Sequence, residues 1–356
     1  MGMLEHTLAE FVTGLRLPSV PADAQRVVRR VVLAVAGTGF AGAEEDGVLA
    51  LRALLLDAGG AAQATVLVYG DRLPAVAAAQ LNATMCRALD FCDAMAPGPH
   101  IGAALFPAAL AAAELVGGCS GAEFLTALVA GAELSSRFNL SEAQYDGFDP
   151  TGIVVVFSAA AAASRILGLT TEQTLHALAL AFNRCGGSFQ SHVDGSLGVR
   201  VVQGWVAQAG LQCAQMAQRG ITGPDNFLAG HYGFAHLYGR GTLDPESVTR
   251  GLGETWKVKN VVFKKYPSCG VTQGVTELAL GLVSELVCAP RTCAAPKFAC
   301  RRMRTGWWGT PSGSAPTLAS MRSSTPGTAS PTRSYVRRRC SSISRRRRCT
   351  TRSCAT

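Results

Sequence analysis

The chain has 356 residues, 48% hydrophobic and 16% charged, a composition that supports a sizeable buried core and excludes a disordered chain. No uninterrupted apolar run reaches the roughly eighteen residues of a membrane span, and Glu5, His6 and Glu10 stand where a secretory signal would be basic and apolar, so a soluble, cytoplasmic protein without membrane contact is expected. The formal net charge of +9 is unevenly placed: all 24 acids precede Val287 while 15 of the 33 basic residues lie from there onward, leaving residues 1–286 at −6 and the remainder at +15.

Apolar residues recur at helical spacing over 5–15, 22–36 and 44–56, with Pro18, Pro21 and the Gly37, Gly39, Gly42 group as breaks. A short β-like run, TVLVY at 65–69, ends at Gly70 and Asp71. Long alanine-rich helices are predicted at 74–89, 102–116, 121–138, 154–167, 171–181 and 199–218. Alanine is the best helix former and lets helix axes approach closely, so residues 1–255 read as a large all-helical domain of a mainly α fold. Ser120 with Glu123, and Thr170 with Gln173, have capping-box spacing; Gly118, Gly168 and Gly220 sit where C-terminal caps belong. Residues 256–264 (WKVKNVVFK) alternate as a strand, and 267–270 turn into a helix running to 286, so an α/β element begins at 256–287.

Residues 301–356 break the pattern, with clumps of Arg, Ser, Thr, Pro and Cys and neither mixed charge nor periodicity. Three readings stay open: a basic arm binding phosphates through Arg337 to Arg339 and Arg345 to Arg348, a plain disordered extension, or a GC-rich gene translated one nucleotide out of frame. The last can be tested on the codons. Regrouping them from Ala319 onward permits VDAQFNTRYSVANAL, followed by a capping-like SLLEHF segment, with the mixed charge and helical period that the written tail lacks. On that reading the slip lies near Leu286 to Cys288, 288–356 is an aberrant disordered tail, and the basic charge says nothing about nucleic acid.

Four polar loops between apolar helices are the candidate sites, because function concentrates on connections held by a rigid scaffold. The first holds Asp90, Asp93 and His100 ahead of a helix. A histidine beside carboxylates at a helix start can hold a proton near neutrality, whereas the plainer reading is a cap by Asp90 and an exposed imidazole. The second holds Tyr145 and Asp149-Pro150-Thr151, which equally reads as an N-cap before a proline-initiated helix. The third runs from Asn183 through Ser191 and His192 to Arg200, an arginine suited to clamping a carboxylate or to the surface. The fourth presents Lys264 and Lys265 at a strand end, where exposed lysines are the ordinary alternative. No P-loop, paired CxxC, HExxH, GxSxG or dinucleotide fingerprint is present, and no metal or cofactor is expected; His231 and His236 read as structural.

Taken in order, these segments resemble the MmgE/PrpD family over roughly residues 5–286. The resemblance rests on RALDFCD at 87–93, HIG at 100–102 with FPAAL at 106–110, DPTG at 149–152, Asp194-Gly195 to Arg200 and Gly204, GITGP at 220–224, Gly230 to Gly233, and FKKYPSC at 263–269. It implies a helical large domain, an α/β lid beginning at 256–287, and a homodimer acting on a di- or tricarboxylate without metal or nucleotide. The implied chemistry is proton handling next to a carboxylate, in a lyase-type dehydration or decarboxylation, which calls for cations and a weak base tuned near neutrality.

Carried over by position, the resemblance makes His100 the general acid/base, Asp93 its orienter and Lys264 a carboxylate anchor or proton donor. Arg200, Asp149, Lys265, Tyr145 and Ser191 would then bind substrate. Arg200 stands where the dehydratase- and decarboxylase-like members commonly carry Lys, and Asp149, Cys269 and Gln273 where they carry His. These departures point to a divergent member, with isomerase or epimerase action, or a truncated inactive dimerising scaffold, as alternatives.

Overall fold

The structure, a computed structural model, describes residues 2–285; segment 288–356 and the frameshift reading lie outside the described residues. The chain from the N-terminus forms α1 (Met3–Gly14), α2 (Ala22–Ala41), α3 (Val48–Ala58), the strands β1 (Ala64–Thr65) and β2 (Arg72–Leu73), α4 (Ala75–Arg87) and β3 (Asp93–Ala94). It continues with α5 (Gly102–Leu115), α6 (Gly121–Phe138), α7 (Glu142–Tyr145), α8 (Pro150–Ile166), α9 (Thr171–Phe182), α10 (Gln190–Val193) and α11 (Gly198–Gln218). Two short helices, α12 (Phe234–Leu237) and α13 (Glu246–Thr249), lead to β4 (Val262–Phe263) and α14 (Gln273–Glu285). The mainly α reading holds.

The core is built around α8, in which every residue but Arg165 is buried. A helix apolar all round must sit at the centre, and α5, α6, α9 and α11 pack about it. Its alanine run 159–163 has no exposed surface. Phe157 stacks on Phe138 with ring centroids 4.1 Å apart, and Phe234 meets both rings edge-on. Helix termini follow the sequence signals. Ser120 Oγ accepts from the Glu123 amide at 3.1 Å, Thr170 and Gln173 form a reciprocal capping box, and Gly118, Gly168 and Gly220 have positive φ.

Three expectations need correction. Gly37 and Gly39 do not end α2, which runs through them to Ala41 because Gly39 lies against Cys86 of α4. The strand expected at 65–69 is reduced to β1, paired with β2, and then turns, with Val68 at φ 71°. The strand expected at 256–264 is mostly a 3-10 turn, Lys257–Asn260, followed by two-residue β4. Its cause is the buried Glu133 carboxylate, which accepts from the amides of Lys257 at 3.1 Å and Val258 at 2.9 Å and so draws that backbone inward.

Glu133 also takes the Arg137 Nε–H at 2.7 Å, with both side chains wholly buried. The Arg137 guanidinium then donates to the carbonyls of Val248, Arg250, Gly251 and Thr255 at 2.6–3.2 Å. This lock fixes the connection to β4, which pairs antiparallel with β3 in the register Asp93 to Phe263 and Ala94 to Val262. Beyond it, α14 leaves Val275, Leu278, Leu282 and Val283 exposed. Among the described residues no helix is long and apolar enough to cross a membrane.

Candidate active site

The pairing of β3 with β4 brings the fourth loop onto the first. Lys264, one residue past β4, places its ammonium 2.5 Å from Asp90 Oδ1 and donates to the Asp90 carbonyl at 2.9 Å. Arg87, at the last turn of α4, pairs with the same carboxylate oxygen. Both cationic side chains are buried, while Asp90 keeps 32% of its side chain exposed, so the open end of this ion triad is a carboxylate held between two cations. Burial alone would raise the Asp90 carboxyl, but Arg87, His100 and Lys264 together hold it well below the usual carboxylate range. Asp90 also sits at φ 49°, a strained conformation for a non-glycine residue.

Asp93 is wholly buried and its carboxylate caps α5, taking the amides of Ile101 at 3.0 Å and Gly102 at 2.9 Å. That capping requires glycine at 102, where a Cβ would lie 2.6 Å from Asp93 Oδ1. Burial pushes the Asp93 carboxyl up to about 6, against the two amide hydrogen bonds. Asp93 meets His100 through its backbone: His100 Nδ1–H donates to the Asp93 carbonyl at 2.7 Å. A carbonyl only accepts, so the neutral ring must carry its proton on Nδ1, and Nε2 is left as the basic nitrogen. Burial, then the charges of Arg87 and Lys264, push His100 well below the ordinary imidazole value, so the ring is neutral at pH 7.

The second loop joins through Thr151, whose Oγ1 accepts from the His100 amide at 3.1 Å. Asp149 is the α8 N-cap, with Oδ1 accepting from the amides of Thr151 and Gly152 at 2.9 and 3.0 Å. Its Oδ2 lies 3.8 Å from His192 Nδ1. His192, on α10, stacks on Phe189 with ring centroids 4.4 Å apart. The third loop reaches this position because Gly152 has no side chain: a Cβ there would lie 1.9 Å from the Gly186 carbonyl oxygen.

His100, Asp93, Lys264 and Asp149 are thus brought together. Four other residues expected at the site are not. Arg200 is turned to the connection between α2 and α3, with bonds to the Glu45 carboxylate at 3.0 Å and the Asp46 carbonyl at 2.5 Å. Lys265 is exposed and pairs with Glu277 at 2.7 Å. Tyr145 is fully buried, its hydroxyl donating to Asn139 Oδ1 at 2.6 Å and accepting from the Leu140 amide at 3.1 Å, which makes it a support of the loop. Ser191 accepts at its carbonyl from the Ser196 amide at 3.0 Å and shapes the turn after α10.

Arg87, Asp90 and His192 were undervalued by sequence reasoning. Arg87 carried a signal, a lone charge in the otherwise apolar or small run MCRAL with an acid three residues on. His192 carried only its place in the third polar loop, since its partner Asp149 is distant in sequence. Among the described residues no group of three or more His, Cys, Asp or Glu side chains is placed to hold a metal ion.

Comparison with known proteins places the same segments in context. Residues 6–246 match the MmgE/PrpD N-terminal domain. The chain is 28% identical to the cis-aconitate decarboxylase-like protein oryM of Aspergillus oryzae over 78% of its own length and 61% of that protein's. It is 28% identical to a cis-aconitate decarboxylase of Aspergillus terreus over 60% of its length and 46% of the relative's, and 26% identical to human cis-aconitate decarboxylase over 80% and 61%. The chain therefore spans between 46% and 61% of these relatives.

Proposed function

The chain belongs to the MmgE/PrpD family, and from that premise we propose that it is a lyase-type enzyme acting on a small di- or tricarboxylate, by decarboxylation or dehydration with proton transfer next to a carboxylate. The observation that carries this reading is the juxtaposition of a neutral imidazole with a fixed proton on Nδ1 and the buried cations of Arg87 and Lys264. Arg87 and Lys264 together carry one positive charge more than Asp90, and this excess offsets the charge of an entering carboxylate. His100 Nε2 exchanges a proton with the carbon or oxygen beside it. The relatives' printed activity supports decarboxylation, in which the bond from carbon to CO2 breaks and the electron pair left on carbon takes up a proton. The substrate and a second copy of the chain, as a homodimer, are the proposed partners.

Incubation of the full chain with cis-aconitate, followed by CO2 release, tests this reading. Turnover that falls at least about 100-fold in His100→Ala supports it, and turnover indifferent to that change overturns it. A second reading, an inactive dimerising scaffold, draws on the exposed apolar residues of α14, of which Leu278 is 68% exposed. Turnover that appears only when residues 288–356 are replaced by their alternative-frame translation would favour it.

A further inference from the structure

His192 lies outside every role given so far, yet its environment is that of a working imidazole. The ring is clamped on one side by Phe189, and its Nδ1 is buried without a hydrogen-bond partner. The nearest carboxylate oxygen, Asp149 Oδ2, is at 3.8 Å, too far for a hydrogen bond but close enough for a strong charge interaction. The other oxygen of Asp149 is engaged by the α8 amides, so this carboxylate cannot rotate away and its charge stays aimed at the ring. The charged groups around His192 are Asp149 at the α8 start, Arg87 and Asp90 at the α4 end, and Lys264 after β4. Three of these, Arg87, Asp90 and Lys264, also surround His100.

We propose that His192 is a second proton-transfer group of this site, held by Asp149 and facing the same ion triad as His100. This inference rests on the polycarboxylate reading and assigns different duties to the two rings. His100 is buried beside two cations, surroundings that favour the neutral ring, and its Nδ1–H bond to the Asp93 carbonyl leaves Nε2 as the base. Burial also lowers the His192 pKa, but Asp149 opposes that, so the ring is poised to become imidazolium once substrate carboxylates add negative charge. An imidazolium there donates the proton that a carbon atom needs after CO2 departs. The neutral ring regains that proton from solvent, so charge and atoms balance over a turnover.

The test follows the ring proton signals of all six histidines of the full chain against pH by NMR. It is run with and without saturating tricarballylate, a tricarboxylate with no double bond to react. Signals are assigned by their loss in His192→Gln and His100→Gln. Asp149→Asn removes the charge but keeps an N-capping side chain, so α8 is retained. The expected result is that His192 titrates about one pH unit higher with the probe bound and that Asp149→Asn lowers its titration both with and without the probe. A His192 signal unmoved by the probe while His100 responds overturns the inference and leaves the polycarboxylate reading standing. Silence of both rings overturns the two together. A His192 titration that Asp149→Asn leaves unmoved, with and without the probe, overturns the role given to Asp149 and with it the proposal.

Discussion

Lys264 Nζ contacts Asp90 twice, at the carboxylate and at the backbone carbonyl, so a residue at the far end of the described chain closes the site begun by α4. The ammonium is almost fully buried and its removal leaves Asp90 held by Arg87 alone. Lys264→Ala is expected to lower stability by about 1–3 kcal/mol, from a half-buried carboxylate that loses one of two partners. Its effect on cis-aconitate turnover is expected to be larger, about 100-fold or more. Urea unfolding and kcat/KM on the same preparation check both, and an unchanged kcat/KM would remove Lys264 from the machinery.

Local signals and long-range pairings were not equally legible. Helices α6, α9 and α11 could be bounded within one residue from alanine content and caps, because those signals are local. His100, Asp93 and Lys264 were identifiable through ordered motifs, and the structure joins them through β3 and β4. Arg200 was misjudged because nothing local distinguishes an arginine that anchors a carboxylate from one that ties α11 to Glu45 and Asp46. The strand expected at 256–264 failed for a similar reason: Glu133, distant in sequence, captures two of its amides. Pairings across a hundred residues leave no periodic trace.

Asp93 gives the molecule a specific pH dependence. Its folded-state pKa of about 6 lies above the ordinary 3.8, so the folded chain holds the proton more tightly than the unfolded chain between those values. The stability that Asp93 contributes is therefore fully present below 3.8 and is lost as pH rises through about 6, a decline of about 3 kcal/mol. Asp90 acts in the opposite sense, since its depressed pKa makes its stabilisation disappear as pH falls below the ordinary carboxylate range. Asp93→Asn leaves one α5 amide without an acceptor, a cost of about 1 kcal/mol that does not vary with pH. Urea unfolding at several pH values between 4 and 7 should show the wild-type curve starting above that of Asp93→Asn and falling below it as pH rises. Parallel curves would refute the assignment.

The Arg137 guanidinium holds together four backbone carbonyls between Val248 and Thr255, and its partner Glu133 sets the turn that follows. Arg137→Met removes the charge with similar bulk and strands the Glu133 carboxylate in the core, where burial already raises its pKa. The expected loss is about 3–5 kcal/mol in urea unfolding. Because this connection leads to β4, protease cleavage in 248–264 should accelerate more than cleavage elsewhere. Uniform acceleration would mean that the lock stabilises the whole domain and not this connection.

Gly152 offers a way to disturb the third loop without touching an ionisable group. The Gly186 carbonyl oxygen would lie 1.9 Å from a Cβ at position 152, and it is backbone, so no side-chain rotation relieves the clash. The same two residues are tied by the hydrogen bond from the Gly186 amide to the Gly152 carbonyl at 3.1 Å. Gly152→Ala must therefore push 186–189 away from the α8 start, taking Phe189 and the stacked His192 ring with it, while Asp149 and Thr151 stay on α8. The expected outcome is a loss of about 1–3 kcal/mol in stability and a fall in kcat with KM little changed, since Arg87, Lys264 and His100 keep their partners. A rise in KM at constant kcat would show instead that this loop binds substrate and that His192 moves no proton.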